Sequence, residues 1–227
     1  MTTTNVQCDE CQATCIIEHQ LDDDVYKVIS CPFCASSDIH TDEEMEWPMI
    51  VGIDYSMTSP AICCCEGKFK YENCNFMFIT NRKKSEGQWS PNIVGLPLYE
   101  YADNLERFTK LAKITLDFIR DNIVYNGYTI YIGLEGYAFG AKGQVFNIGE
   151  NTGILKYTLN KFSQGELKIF APSEIKKFAT GKGNANKILM YEAFVKETGD
   201  DLAKLFGIDE YKGQGPVSDI IDSYYIA

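Results

Sequence analysis

The chain has 227 residues, 45% of them hydrophobic, and a formal net charge of −11. That apolar content supports a sizeable core and excludes an intrinsically disordered chain, and no apolar run approaches the ~20 residues of a membrane helix. The opening Met1-Thr2-Thr3-Thr4-Asn5 lacks the basic and apolar regions of a signal peptide, so a cytoplasmic location is expected.

The charge is unevenly spread. Residues 1–47 contain eleven acids and one base, Lys27, and so carry −10, whereas the rest carries −1. An acidic balance argues against a nucleic-acid partner for the N-terminal segment. It leaves one open for residues 48–227, where 20 bases and 21 acids nearly balance.

In chain order, Cys8-Asp9-Glu10-Cys11 and Cys31-Pro32-Phe33-Cys34 come first. Two Cys-x-x-Cys pairs separated by nineteen residues predict one structural Zn²⁺ held by Cys8, Cys11, Cys31 and Cys34 in a zinc ribbon over residues 1–40. Cys15–His19 and Val25–Ile29 read as its two strands, with Cys15 and His19 as packing residues. So short a module builds little core, so metal binding carries most of its folding free energy. Its acidity predicts no DNA affinity and suits a protein partner, packing on a basic face of the protein's own dimer, or restraint of binding to unbranched DNA. Residues 41–47 read as an acidic linker, and a second domain spans 48–227.

That domain opens on Met49-Ile50-Val51-Gly52-Ile53-Asp54, an apolar strand ending in a carboxylate. Residues 59–67 and 75–80 read as antiparallel neighbours, with Cys63, Cys64, Cys65 and Cys74 as small core hydrophobes. Residues 81–99 read as a loop whose Arg82, Lys83 and Lys84, followed by an exposed Trp89, are candidate DNA contacts. Apolar residues at three- and four-residue spacing predict a helix over 100–123. A fourth strand, 128–135, ends in Glu135. A glycine-rich turn over 136–143, with Lys142, which like Lys182 further on is a candidate DNA contact, leads to a helix near 145–162. A short strand, 167–172, a helical turn at 173–178, a loop with Lys182, a helix over 185–198 and a last helix from Pro216 complete the chain. Three antiparallel strands followed by two crossovers predict an α/β fold, a ribonuclease H-like mixed five-stranded sheet flanked by helices.

A carboxylate at the end of an apolar strand is costly unless something compensates it. Asp54 and Glu135 fall at the C-terminal ends of adjacent parallel strands, where open sheets place their sites. Asp219 and Asp222 lie one turn apart on a helix face. Four converging carboxylates make a hard oxygen site suited to two Mg²⁺ or Mn²⁺ ions, bridged by Asp54, for phosphodiester hydrolysis.

These motifs resemble the RuvC-type Holliday junction resolvases, within the ribonuclease H-like superfamily, especially versions found in bacteriophages. The resemblance rests on Gly52-Ile53-Asp54-Tyr55-Ser56-Met57-Thr58 and Leu134-Glu135-Gly136-Tyr137-Ala138-Phe139. It rests further on Ala171 to Lys177, on Gly181 to Lys187, and on the terminal Asp219-Ile220-Ile221-Asp222-Ser223-Tyr224-Tyr225-Ile226-Ala227. It implies a Mg²⁺-dependent endodeoxyribonuclease that resolves four-way junctions, leaves 5′-phosphate ends and works as a homodimer, in the host cytoplasm if the source is viral. It implies that the four acids hold the catalytic metals, that Lys176 and Lys187 act near the scissile phosphate, and that Tyr137 or Phe139 helps open the junction. The N-terminal ribbon and the Arg82-to-Trp89 segment depart from the basic family pattern, and the stop at Ala227, partway along a longer family helix, reads as a truncation. Two alternatives stand beside this: a broader branched-DNA or flap nuclease in viral DNA processing, and a non-catalytic DNA-structure binder. The first motif also resembles a phosphate loop of actin-like ATPases, which need two such domains where this chain has room for one.

Overall fold

The computed structural model describes residues 2–19, 28–41, 48–122, 130–136, 145–162 and 166–227. The chain divides into two compact units, Met1–Trp47 and Pro48–Ala227.

The first unit holds a three-stranded antiparallel sheet of β1 (Thr2–Cys8), β2 (Thr14–His19) and β3 (Ile39–Thr41), with β1 central. Of the two expected strands, β2 appears among the described residues. Val28 and Ile29 are not in a strand, residues 20–27 lie outside the described residues, and β2 instead pairs with β1. Each Cys-x-x-Cys pair closes a tight turn. The Cys8 N–H donates to Ala13 O at 3.0 Å, and the Cys31 N–H donates to Ser36 O at 2.8 Å. The residue after each second cysteine is left-handed, Gln12 at φ 58° and Ala35 at φ 59°. A non-glycine residue rarely holds that conformation, so its repetition marks two copies of one knuckle.

The second unit is built on a seven-stranded sheet. Its strands are β4 (Met49–Asp54), β5 (Ala61–Cys65), β6 (Cys74–Thr80), β7 (Gly87–Ser90), β8 (Ile93–Pro97), β9 (Ile130–Glu135) and β10 (Glu166–Phe170), in the order β10-β9-β4-β5-β6-β8-β7. β10, β9 and β4 are parallel, and β5 runs antiparallel between β4 and β6. These five strands have the ribonuclease H-like arrangement. The sheet is wider than the expected five strands because residues 81–99 are not a loop: β8 pairs parallel with β6, and β7 folds back on β8. The apolar Ile93, Val94 and Leu96 line the free edge of β6, giving its backbone groups a partner. Trp89 is accordingly not exposed. Its indole N–H donates to Ser85 O at 2.9 Å, and its ring lies 4.4 Å from that of Phe206.

Alternation along the strands splits the core in two. Val51, Ile53, Ile62, Cys64, Ile132 and Leu134 face α1 (Asn104–Asp121) and α2 (Val145–Phe162). Ala61, Cys63, Cys65, Phe76 and Phe78 face α3 (Pro172–Thr180), α4 (Lys187–Thr198), α5 (Leu202–Leu205) and α6 (Val217–Ile226). Residues 71–73 and 83–85 are single 3₁₀ turns. The starts of α1 and α4 are capped by side chains: Asp103 Oδ1 accepts the Glu106 N–H at 2.8 Å, and Asn186 Oδ1 accepts the Leu189 N–H at 2.9 Å. Among the described residues, no helix is long and apolar enough to cross a membrane.

Candidate active site

The site begins with strand alternation. If Val51, Ile53, Ile132 and Leu134 face α1 and α2, then Gly52, Asp54, Gly133 and Glu135 face the opposite side. Gly52 pairs directly with Gly133 across β4 and β9, and Ile53 with Leu134, so Asp54 and Glu135 follow one step later on neighbouring strands. A side chain at Gly52 would run into Ser223 O and Ala227; one at Gly133 would run into Ile226 O. The two glycines leave a flat floor, and α6 lies directly on it, packed against β4, β5, β6 and β9. That close approach brings the partly buried Asp219 and Asp222 of α6 to the ends of β4 and β9. Gly215, just before α6, is also constrained, since a Cβ there would strike Asp219 Oδ2.

Asp54 and Asp222 feel their acidic neighbours. Burial, then the charges of Asp222, Glu135 and Asp219, push the Asp54 carboxyl well above the usual carboxylate range, while Lys187 pulls it down. Burial, then Glu135 and Asp219, push Asp222 up to about 7, with Lys187 and Lys176 opposing. Burial raises Glu135, again countered by Lys176 and Lys187. Three acids raised by burial, two of them also by the charges of their acidic neighbours, form an under-compensated negative centre, which a divalent cation would neutralise. The donor set, all carboxylate oxygen, fits Mg²⁺ or Mn²⁺.

Lys176 and Lys187 both face this centre. Lys187 is the first residue of α4, where a cation opposes the helix dipole. Its Nζ donates to Ser218 Oγ at 3.0 Å and lies 3.9 Å from Asp219 Oδ1; Ser218 Oγ in turn donates to Asp219 Oδ1 at 2.9 Å. Ser218 was not singled out in the sequence. Neither was Tyr211, whose enclosed hydroxyl lies beside Ser218 and within electrostatic reach of Asp222 and Asp219. A serine preceding the first of two spaced acids, and a glycine two residues before each strand carboxylate, were the signals available for this arrangement.

The other expected DNA contacts divide three ways. Arg82 comes close to the site, with Nη1 donating to Gly215 O at 3.1 Å. Lys83 and Lys84 are exposed, and Lys182 lies by α4 beside Leu189 and Glu192 rather than at the carboxylates. Lys142, Tyr137 and Phe139 lie outside the described residues.

The four cysteines form a separate centre. Cys8, Cys11, Cys31 and Cys34 present their sulfurs within 4.8 Å of one another, the one such group of three or more candidate ligands among the described residues. The Cys8–Cys34 and Cys11–Cys31 sulfur pairs are each 3.6 Å apart. Tetrahedral Zn–S bonds of ≈ 2.3 Å place sulfurs about 3.8 Å apart, so the set fits zinc. The Cys34 and Phe33 backbone N–H groups, that of Cys34 foremost, hold the Cys31 thiol down to about 7, favouring the thiolate that metal binding requires. Cys15, on β2, is not part of the group.

No family model and no curated protein matches the chain. Among solved structures it is similar to the RuvC structure of Thermus thermophilus, with a TM-score of 0.47 and 13% identity over 79% of this chain and 90% of that one. It is also similar to T. thermophilus RuvC in complex with Holliday junction substrate, with a TM-score of 0.49 and 14% identity over 79% of this chain and 90% of that one.

Proposed function

We propose that this chain is a divalent-metal-dependent DNA endonuclease that resolves four-way junctions. The observation that carries this reading is the gathering of Asp54, Glu135, Asp219 and Asp222 at the carboxyl ends of β4 and β9, with Lys176 and Lys187 facing them. The four acids would hold the cations. Bound there, a pair of Mg²⁺ ions would supply charge stabilisation for an in-line phosphodiester displacement. The protein's own part is placement. α6, flat on Gly52 and Gly133, holds two carboxylates against the strand pair, and Ser218 keeps the Lys187 ammonium beside Asp219. An ammonium there favours the charge that builds on the phosphate in the transition state. Water adds to phosphorus, the P–O3′ bond breaks, and the departing 3′ oxygen takes a proton, leaving 5′-phosphate and 3′-hydroxyl ends.

The junction as substrate is supported by the RuvC-type motifs in the sequence. That reading brings with it a homodimer cutting two strands symmetrically. The test is Mg²⁺-dependent cleavage of a labelled four-way junction beside flap, fork and linear duplex. The wild type should cut the junction fastest, and Asp54→Asn should bind it without cutting. Cutting retained by Asp54→Asn sinks the site; equal rates on flaps or linear duplex sink the junction preference.

A further inference from the structure

A cleft of about 250 Å³ lies beside the carboxylates, between the turn after β4, the end of β6 and the loop entering α6. Its walls include Thr58, Ser59, Thr80, Arg82, Lys187 and Asp219. Two are cations, three are hydroxyls, and Asp219 is the one acid. Lys187 and Asp219 also belong to the carboxylate site, so the cleft opens onto it.

Arg82 is held across this cleft. Its backbone N–H donates to Thr80 Oγ1 at 3.1 Å, and its Nη1 donates to Gly215 O at 3.1 Å. One guanidinium nitrogen is thereby committed, while the rest of a five-donor fork stays available. A fork already pinned loses less freedom when it grips an anion. Across from it, the Ser59 N–H donates to Ser56 Oγ at 2.8 Å, fixing the turn that carries the Ser59 and Thr58 hydroxyls. Hydroxyls donate as readily as they accept, which suits phosphate oxygens.

We infer that this cleft is a second phosphate site, which holds a phosphodiester neighbouring the scissile one on the same strand, with Arg82 as its principal ligand. The inference rests on the DNA-cutting reading above. A free anion would have to settle beside the Asp219 carboxylate unaided. A phosphate of a strand already seated at the carboxylates arrives tethered, so its binding is in effect intramolecular.

The test is a cycle between protein and substrate. Junctions carrying one neutral methylphosphonate, scanned over each phosphate flanking the cleavage position, are bound by wild type, Arg82→Ala and Arg82→Gln. Affinity is read by fluorescence anisotropy with Ca²⁺ present. At one position the methylphosphonate should weaken wild-type binding by about tenfold, the scale of a charge-assisted contact. Arg82→Ala should weaken the unmodified junction similarly, and the two changes together should be no worse than either alone. Arg82→Gln retains a donor for Gly215 O but no charge, and should behave as Arg82→Ala does. Losses that multiply at every position overturn the inference, since an arginine serving only as a strut for Gly215 behaves that way. Competition by inorganic phosphate that requires Arg82, without a coupled strand position, also overturns it and makes this a free-anion site. A wild type that shows the coupled position but cuts no DNA removes the nuclease reading and leaves the phosphate site standing. A wild type that binds no DNA overturns both.

Discussion

Gly52 and Gly133 face each other directly across two parallel strands, and α6 lies over both with its backbone where their side chains would be. Two absent side chains thus set how closely Asp219 and Asp222 approach Asp54 and Glu135. Gly52→Ala should push α6 off the sheet, destabilise the protein by about 1–3 kcal/mol as overpacking does, and lower cleavage by more than the loss of folded protein explains. Gly149→Ala is the control. It lies within α2 with open space around the added methyl, and should be neutral or stabilising by up to about 1 kcal/mol. Thermal unfolding and single-turnover cleavage of the two variants test the contrast.

The carboxylate centre predicts a pH dependence of stability in metal-free protein. Asp54, Asp222 and Glu135 all bind protons more tightly folded than unfolded. Where the folded state holds more protons, stability falls as pH rises. For Asp222 that window runs from the ordinary 3.8 to about 7. Without metal, the melting temperature should therefore fall on going from about pH 5 to about pH 8, and Asp222→Asn should flatten that slope. Mg²⁺ competes with these protons, so its affinity should rise over the same range and its binding should cancel the slope. A metal-free melting temperature that rises with pH, unchanged in Asp222→Asn, would contradict the coupling among these acids.

Lys187 and Ser218 form a relay to Asp219 with measurable parts. Lys187→Ala should lower single-turnover cleavage by about 10²–10³-fold, the scale of losing one preorganised donor, with a small effect on junction affinity. Ser218→Ala leaves the ammonium in place but unanchored, and should lower the rate by about tenfold, close to one hydrogen bond to a charged group. If Lys187→Ala weakens binding and spares the single-turnover rate, the lysine is a backbone anchor instead.

The four-cysteine centre predicts one zinc per chain by metal analysis, lost in Cys31→Ser. Removing it should unfold residues 1–47, because a structural zinc contributes on the order of 10 kcal/mol to so small a unit. DNA affinity should be unchanged or higher. The segment carries −10 without metal, and zinc bound by four thiolates makes it more negative still. A large loss of junction affinity in Cys31→Ser, with residues 48–227 still folded, would show that direct contacts by this segment outweigh its charge.

Much of this was legible in the chain itself. The two knuckles, the strand run into Asp54, the run into Glu135 and the spacing of Asp219 and Asp222 are all local patterns. Each reflects chemistry within a few residues: ligand pairs, period-two alternation, one helical turn. The core order of strands followed from the same local signals and the length of the crossovers. Residues 81–99 differ from the expected loop because β7 is short and partly polar and β8 is short and carries Gly95 and Pro97, and both are strands that complete the open edge of β6. Trp89 looked exposed for the same reason, since its partners, Ser85 O and the Phe206 ring, include one that is distant in sequence. What the tertiary structure alone decided is contact at a distance along the chain. Gly52 and Gly133 matter through a helix nearly a hundred residues or more away, Ser218 through Lys187, and Arg82 through Gly215. A glycine's missing side chain or an arginine's reach has meaning only once its neighbour is in place, and that neighbour is chosen by packing rather than by adjacent sequence.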